Sequence, residues 1–243
     1  MTHRLYLSEL QNLSSADSTI ELNREQSHYL SRVLRLKTGA ELLCFDGQGA
    51  EWQASIATID NRRCTLTLQD RIREQTATRP VLTLAVSWLK GAAMDTVMQK
   101  ATELGADSIQ VLRSERSNVQ LDEKRTANKL NHWRQITISA AEQCGRLFVP
   151  DLGAPLSLAE LLERGFDGRR LMLDLDAPLL DAGSQREALS LLVGPEGGWT
   201  DSERELARSH NIALCGLGGL TLRAETVPLA ALAAVQHSWG WSD

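Results

Sequence analysis

After Pro80 the sequence alternates between short apolar runs typical of strands and segments with helical periodicity. Residues 189–193 form one of the apolar runs, as expected for a strand that is covered on both faces. In residues 94–104, apolar side chains recur at the i, i+3, i+4, i+7 and i+10 spacing of one helix face. An alternation of this kind predicts an α/β domain with a mainly parallel sheet.

Local signals place further elements in this part of the chain. Thr200 and Glu203 form a capping box, because the two side chains can each accept a free amide at a helix start, and this helix is predicted to end near residue 210. Pro228 suits the first turn of a last helix, which we expect to end near Trp239. The other predicted elements are strands at 81–89, 109–112, 171–175 and 212–215 and helices at 126–144 and 158–164.

The first seventy residues have a different pattern, with short strands and one helix. Asp46-Gly47-Gln48-Gly49 is a hairpin signal, because glycine tolerates the positive φ of tight turns. The composition predicts a small β-barrel, and the polar, non-periodic stretch 71–79 indicates the domain boundary, so we expect domains at 1–73 and 74–243. The predicted strands are 4–7, 19–22, 41–45, 51–59 and 64–68, with a helix at 27–36.

The charge balance excludes a generally basic nucleic-acid binder, because 26 Lys and Arg side chains face 31 Asp and Glu, for a net charge of -5. The acidic excess is concentrated in residues 151–243, which hold 14 acidic and 7 basic side chains. This asymmetry has two interpretations, a polyanion-facing side opposite an acidic side or ordinary solubility charge.

The apolar stretches and the cysteines indicate the cell compartment in which the protein is expected. The longest apolar stretch, 227–235, is far shorter than the roughly 20 residues of a membrane span, and no signal peptide is visible. Four cysteines lie far apart without a CxxC pair, which predicts reduced thiols, no metal site and a cytoplasmic protein. We expect Cys144 to be a small buried residue.

Three loops at predicted strand ends are candidates for ligand binding, because ligands of parallel sheets bind beyond the carboxyl ends of the strands. The first follows Asp176, the second is 194–198 and the third is 216–226. The loop at 194–198 lacks the GxxxxGK[ST] pattern, and Glu196 would repel a phosphate. A positively charged nucleoside such as a sulfonium cofactor fits better, and tight turns without a ligand are the alternative.

Motifs along nearly the whole chain resemble the RsmE-type branch of the SPOUT (trefoil-knot) methyltransferases. The most specific pair is Gly194-Pro195-Glu196-Gly197-Gly198 followed by Leu222-Arg223-Ala224-Glu225-Thr226. The agreeing segments, in chain order, are 32–36, 45–47, 90–91, 99–105, 113–117, 141–146 and 149–150.

This resemblance implies a PUA-like N-terminal barrel, a C-terminal trefoil-knot domain, S-adenosyl-L-methionine as cofactor and an obligate homodimer. The implied reaction is methylation of N3 of one uridine (position 1498) in 16S ribosomal RNA, within the small subunit or its late precursor. The residues implied to bind the cofactor are Leu173, Gly194, Pro195, Glu196, Gly197, Gly198, Leu217, Gly218, Gly219, Thr221 and Leu222.

Two departures from the family pattern reduce the positive charge near the expected RNA face. Leu220 stands where the family commonly has an Arg, and Ala92-Ala93 stand where charged residues are common. They keep two alternatives open: a non-catalytic ribosome-assembly factor that binds RNA, and a SPOUT methyltransferase acting on another RNA nucleotide or on ribose 2′-O.

Methylation at N3 requires removal of the uracil proton and stabilisation of the resulting anion. Arg223 is the candidate for stabilising that anion because its guanidinium has paired donors and stays charged, and Glu225 or Glu196 is the candidate base. The alternatives are a structural Arg223–Glu225 pair and a Glu196 carboxylate that caps backbone amides. RNA-binding candidates, for which solvated surface charge is the alternative, are Arg32, Arg35, Arg113, Arg116, Gln143 and Arg146.

Overall fold

The computed structural model describes residues 2–12, 18–60, 62–76, 80–117, 122–183 and 187–240. It divides into two compact units, the first comprising Met1–Ala77 with Glu142–Phe148 and the second Thr78–Ala141 with Val149–Asp243. The sequence-based boundary after residue 73 stays a prediction.

The first unit is built on one five-stranded sheet in the order β1-β3-β4-β5-β2. β1 pairs in parallel with β3, and the remaining pairs are antiparallel. The apolar core of this unit includes Leu7, Leu42, Ile56 and Leu66. The strands are β1 (Arg4–Tyr6), β2 (Thr19–Glu21), β3 (Glu41–Phe45), β4 (Ala50–Ile59) and β5 (Cys64–Glu74), with a 3-10 helix at Ser8–Asn12.

The predicted hairpin between β3 and β4 is confirmed. The Asp46 carboxylate accepts the backbone N–H groups of Gln48 at 2.7 Å and Ala50 at 3.0 Å, which closes the turn. Gly47 has a φ of 74°, the left-handed conformation for which glycine was expected.

Two element predictions in the first unit are wrong at their ends. The helix predicted at 27–36 begins earlier, as α1 (Arg24–His28), because Asn23 forms a capping box with Gln26. It continues as a π-helical turn, Tyr29–Val33, and Arg35 follows at a φ of 54°. The strand predicted at 64–68 continues as β5 to Glu74, into the non-periodic stretch 71–79. Arg71 lies over the Trp52 ring at 5.1 Å there, while 77–79 lie outside the described residues.

The second unit is an α/β domain with a six-stranded, entirely parallel sheet in the order β11-β9-β10-β6-β7-β8, which confirms the predicted fold class. Between β8 and β9 the chain passes three strands of the sheet, β7, β6 and β10. The strands are β6 (Leu82–Ser87), β7 (Ser108–Arg113), β8 (Asp151–Ser157), β9 (Arg169–Leu173), β10 (Leu189–Val193) and β11 (Ala213–Cys215). The helices are α2 (Ala92–Glu103), α3 (Glu123–Cys144), α4 (Leu158–Glu163), α5 (Asp201–Ser209) and α6 (Thr226–Trp239), and the last three residues of α3 belong to the first unit.

Helices cover both faces of this sheet, which explains why its central strands are apolar throughout. On β6, Leu84 and Val86 join one core with side chains of α2, α3 and α6, whereas Ala85 joins a second core with α4 and α5. The capping box of Thr200 and Glu203 is formed as predicted. β8 was not predicted, because Gly153 and Pro155 interrupt the apolar pattern there.

Candidate functional site

Three loops meet in one pocket at the carboxyl ends of β9, β10 and β11, which are neighbours in the sheet. The pocket has a volume of about 340 Å³, within the roughly 300–1,000 Å³ typical of small-molecule sites. Its walls combine apolar side chains with the backbone of the glycine-rich loops. The wall residues are Leu173–Asp176, Val193–Trp199, Arg204, Gly216–Gly218, Leu220–Leu222, Ala224 and Val227.

The loop after β10 is fixed by Trp199, which is buried. The indole Nε1–H donates to the carbonyl oxygen of Leu173 at 3.0 Å, which joins this loop to the end of β9. Gly194 lies so close to the ring that an added Cβ would be 3.1 Å from Trp199 Cε2. Gly198, with a φ of 64°, donates its N–H to the carbonyl of Pro195 at 2.9 Å. Glycine is therefore favoured at 194 by the close approach of the ring and at 198 by the backbone conformation.

The electrostatics of the pocket are set by carboxylates. Arg204 Nε donates to Asp174 Oδ2 at 2.7 Å, and this bond raises the pKa of the Arg204 guanidinium. The Asp174 side chain is only 9% exposed and that of Arg204 26%. Asp176 and Glu196 also line the pocket, so acidic groups outnumber the one arginine. This excess of negative charge favours a cationic ligand.

The loop after β11 is joined to the segment after β9 by backbone hydrogen bonds. Gly216 donates its N–H to Pro178 O at 2.6 Å and accepts the N–H of Leu180 at 2.8 Å. The residues that follow, Leu217, Gly218 and Leu220–Leu222, line the pocket. Large apolar side chains are exposed beside it, with Leu175 52%, Leu179 72% and Leu220 79% accessible.

Comparisons with known proteins assign both parts of the chain. A family model described as an RNA methyltransferase domain matches residues 77–236, and one described as an RNA methyltransferase PUA domain matches residues 22–69. The ribosomal RNA small subunit methyltransferase E of Synechocystis sp. is 35% identical over 97% of this chain and 77% of that protein. The protein of the same name from Bacillus subtilis is 27% identical over 90% of each chain.

This chain belongs to the ribosomal RNA small subunit methyltransferase E family.

Solved structures agree with this family assignment and with the predicted fold. A methyltransferase of Legionella pneumophila, solved with its cofactor SAM, has a TM-score of 0.92 and 30% identity over 98% of both chains. The ribosomal RNA small subunit methyltransferase E of Neisseria gonorrhoeae, solved with S-adenosyl methionine, has a TM-score of 0.86 and 32% identity over 98% of both chains.

In this family member, ten of the eleven residues predicted to bind the cofactor line the pocket. Gly219 is the exception, since it lies on the same loop between two lining residues but is not part of the wall. The residues in the wall are Leu173, Gly194, Pro195, Glu196, Gly197, Gly198, Leu217, Gly218, Thr221 and Leu222. Their role in binding stays a prediction.

The three catalytic candidates occupy different positions. Glu196 lines the pocket, and its Oε1 lies 3.5 Å from the backbone nitrogen of Lys90. Arg223 is exposed, and its carbonyl accepts the N–H of Thr226 at 2.8 Å at the start of α6. Glu225 is the residue before α6, beside the lining residue Ala224.

The RNA-binding candidates differ in what they contact. Arg32 and Arg35 are exposed in the first unit, where Arg32 borders a depression with Arg24, Glu25, His28 and Arg62. In the same unit, Gln143 is exposed, and the carbonyl of Arg146 accepts Arg4 Nη2 at 3.1 Å.

Arg113 and Arg116 belong to the second unit, and both have partners. Arg113 Nη2 donates to Glu160 Oε2 at 3.0 Å. This bond and those from Ser157 lower the pKa of the Glu160 carboxyl to about 2, with the Ser157 bonds the larger cause. Arg116 donates to backbone carbonyls of the pocket loop.

The sequence reasoning missed the pocket residues Asp174, Trp199 and Arg204. The position of Trp199 directly after the glycine loop was a usable signal, because a large side chain there must pack against that loop. No local pattern pairs Asp174 with Arg204, which is thirty residues away. Among the described residues, no helix is long and apolar enough to cross a membrane, and no three His, Cys, Asp or Glu side chains are grouped to hold a metal ion.

Proposed function

We propose that this protein transfers a methyl group from S-adenosyl-L-methionine to N3 of uridine 1498 in 16S ribosomal RNA. The family assignment supports the coarser statement, a SAM-dependent ribosomal RNA methyltransferase. The observation that carries the proposal is the pocket at the ends of β9, β10 and β11, in which glycine-rich backbone, apolar walls and excess carboxylates occur together.

The residues of this pocket fit S-adenosylmethionine. Leu173, Val193 and Leu222 offer apolar surface for an adenine ring, and the backbone at 194–198 and 216–218 offers hydrogen-bonding groups for its edge. Asp174, Asp176 and Glu196 provide negative charge for a sulfonium ion and an amino group. When bound, the cofactor supplies a methyl group that is activated for transfer by its positive sulfur.

The chain's own residues must prepare the uracil. Glu225 or Glu196 accepts the N3 proton, which turns a poor nucleophile into a good one. Arg223 stabilises the negative charge that then spreads onto the uracil oxygens, since a guanidinium offers two parallel donors and stays charged. All three lie on loops that reach or adjoin the pocket.

The proposal includes a cytoplasmic homodimer acting on the small ribosomal subunit or its late precursor. Exposed Leu175, Leu179 and Leu220 beside the pocket support a second copy at this face, because large apolar side chains exposed together are typical of interfaces. Sedimentation equilibrium of the full chain tests this assembly, and a monomer at micromolar concentration would contradict it.

Methylation of small ribosomal subunits from a strain lacking this modification is the deciding experiment. We expect incorporation of labelled methyl from S-adenosylmethionine, and mass spectrometry of digested RNA should identify 3-methyluridine. A ribose 2′-O-methyl product would move the target to another atom. Cofactor binding by calorimetry without methylation of any ribosomal substrate would favour a non-catalytic assembly factor.

A further inference from the structure

Residues 114–117, directly after β7, contact the loop at 194–198 and the helix α5 that follows this loop. The backbone N–H of Glu115 donates to Glu203 Oε1 at 3.1 Å, and Ser202 Oγ donates to Glu115 Oε1 at 3.1 Å. Glu203 is buried, and its other oxygen accepts the N–H of Thr200 at 2.8 Å. One carboxylate therefore joins this segment to the start of α5.

The segment is also fixed to the end of β6. Ser114 Oγ donates to Ser87 Oγ at 2.8 Å, and Ser117 Oγ donates to the carbonyl of Trp88 at 3.1 Å. Ser87 and Ser114 are both buried. Because both ends of the segment are held, the side chain between them starts from a fixed backbone.

From this fixed backbone, the side chain of Arg116 contacts the loop at 194–198. Its Nη1 donates to the carbonyl of Gly197 at 2.8 Å and to that of Trp199 at 3.3 Å, so the two bonds lie on either side of Gly198. The aliphatic part packs on the loop, since a Cβ at Gly197 would be 3.3 Å from Arg116 Cβ and 3.4 Å from Cδ. The guanidinium thus restrains the residue whose positive φ shapes the turn.

We propose that Arg116 is a positioning residue for the cofactor loop at 194–198, and that it governs affinity for S-adenosylmethionine and not affinity for RNA. This inference rests on the proposed function. The sequence predicted that Arg116 contacts an RNA phosphate, whereas the two bonds to carbonyl groups indicate that it positions the loop. A charged donor on two carbonyls keeps the loop in one conformation before the ligand arrives, which lowers the ordering cost of binding.

The test compares Arg116→Ala and Arg116→Lys with the wild type in the full chain. We expect Arg116→Ala to raise both the Kd and the KM for S-adenosylmethionine about tenfold, the effect of losing charge-assisted hydrogen bonds. Arg116→Lys should give intermediate values of both constants, because lysine keeps the positive charge but its side chain is one bond shorter than the distance to Nη1, the atom that contacts both carbonyls. At saturating cofactor, kcat should stay within about twofold of wild type, and so should the Kd for small subunits.

Arg208→Ala is the matched control, because Arg208 lies on α5 and pairs there with the exposed side chain of Glu205. It removes the same charge from the same unit, and we expect cofactor binding to stay unchanged. Thermal unfolding monitors the fold of each variant, and if Arg116→Ala does not fold, the cofactor Kd of Arg116→Lys decides.

The inference would be overturned if the folded variants kept the wild-type affinity for the cofactor but bound RNA more weakly. In that case the slope of log K for RNA against log salt concentration should fall by about one, which would restore the phosphate contact as the role of Arg116. Failure of the proposed function is a separate result, since it would appear in the wild type as absent cofactor binding or absent methylation.

Discussion

The indole N–H of Trp199 donates to the carbonyl oxygen of Leu173 at 3.0 Å, and both residues are buried. This bond joins the loop after β10 to the end of β9, so it connects two of the three loops that form the pocket. The same ring packs against Gly194, which ties the shape of the glycine loop to the end of the neighbouring strand.

We predict that Trp199→Phe weakens both folding and cofactor binding. The phenyl ring keeps most of the packing but leaves the buried carbonyl of Leu173 without its donor, at a cost of about 1–3 kcal/mol in the free energy of unfolding. The loosened loop should raise the Kd for S-adenosylmethionine about fivefold. Urea unfolding and calorimetry measure the two effects.

Trp133→Phe is the control for this prediction, because Trp133 is equally buried and its Nε1–H donates to Asp95 at 2.9 Å, away from the pocket wall. It should lose a similar free energy of unfolding while its cofactor Kd stays unchanged. Equal changes in Kd for both variants would contradict a specific role for the bond between Trp199 and Leu173.

The sequence predicted those features that depend on local chemistry. Thr200 and Glu203 are three residues apart and cap a helix by themselves, and Asp46 closes its turn with amides two and four residues away. The period of apolar residues likewise predicted α2 and the buried strand β10. The order of the strands follows from packing between distant segments, so the resemblance to a family was needed to bring the three loops together.

Other features could not be predicted because they depend on contacts between distant residues. Asp174 and Arg204 form an ion pair that no spacing rule anticipates. The polar residues of β5 lacked a strand signal, yet Arg71 lies over Trp52 and the strand continues to Glu74. Arg116 was expected to contact RNA, since an exposed arginine gives no sign in the sequence of the carbonyls that its guanidinium contacts.

We predict that Arg204→Met destabilises the second unit because it leaves the Asp174 carboxylate largely buried without its partner. A fully buried pair broken in this way costs about 3–5 kcal/mol, and the partial exposure of Arg204 reduces our expectation to about 1–3 kcal/mol. Adding Asp174→Asn should recover much of the loss, and a double-mutant cycle measured by urea unfolding gives the coupling. Arg208→Met, which breaks an exposed pair, should change the free energy of unfolding by less than about 0.5 kcal/mol.

We predict that Arg223→Ala lowers kcat about 100- to 1,000-fold, the usual effect of removing a donor that stabilises a developing anion. Cofactor affinity should change little, because Arg223 is exposed and is not part of the pocket wall. Single-turnover methylation of small subunits measures the rate, and calorimetry measures the affinity.

Glu225→Gln and Glu196→Gln identify the base. The variant that removes the base should be slow at all pH values and should lose the rise in rate with pH, while the other should keep the wild-type profile. Wild-type profiles in both variants would exclude both carboxylates as the base.

We predict that Glu142→Gln removes a pH dependence of stability. Burial raises the pKa of the Glu142 carboxyl above its ordinary 4.5, although the Tyr6 N–H at 2.9 Å and the Arg4 charge act in the opposite direction. A carboxyl that keeps its proton to higher pH when folded stabilises the protein below pH 4.5, and this contribution is lost as pH rises through the raised pKa. Glutamine keeps an acceptor for Tyr6 without a charge.

As pH rises above 4.5, the free energy of unfolding of the wild type should therefore decrease compared with that of Glu142→Gln. Glu160→Gln is the control of opposite sign, because the pKa of Glu160 is lowered to about 2, and its stabilisation is lost as pH falls toward that value. Parallel pH curves for the wild type and Glu142→Gln would contradict the prediction.

We predict that one of the four cysteine thiols reacts readily with a thiol reagent and that the other three are protected by burial. The expectation that Cys144 is buried is wrong, since it is exposed as the last residue of α3. Cys44, Cys64 and Cys215 are buried, and burial raises the pKa of Cys64 and of Cys215 to about 11. A buried thiol with a raised pKa holds almost no thiolate at pH 8, and the thiolate is the species that reacts.

We therefore expect one thiol per chain to react rapidly with Ellman's reagent at pH 8 in the native protein, and four after denaturation. Cys144→Ser should abolish the rapid phase and leave methylation of small subunits unchanged, because Cys144 lies outside the pocket wall. Cys215→Ser is the complementary variant, which should keep the rapid phase. Rapid reaction of two or more thiols in the native protein would show that the cores around Cys44, Cys64 or Cys215 open far more readily than their burial implies.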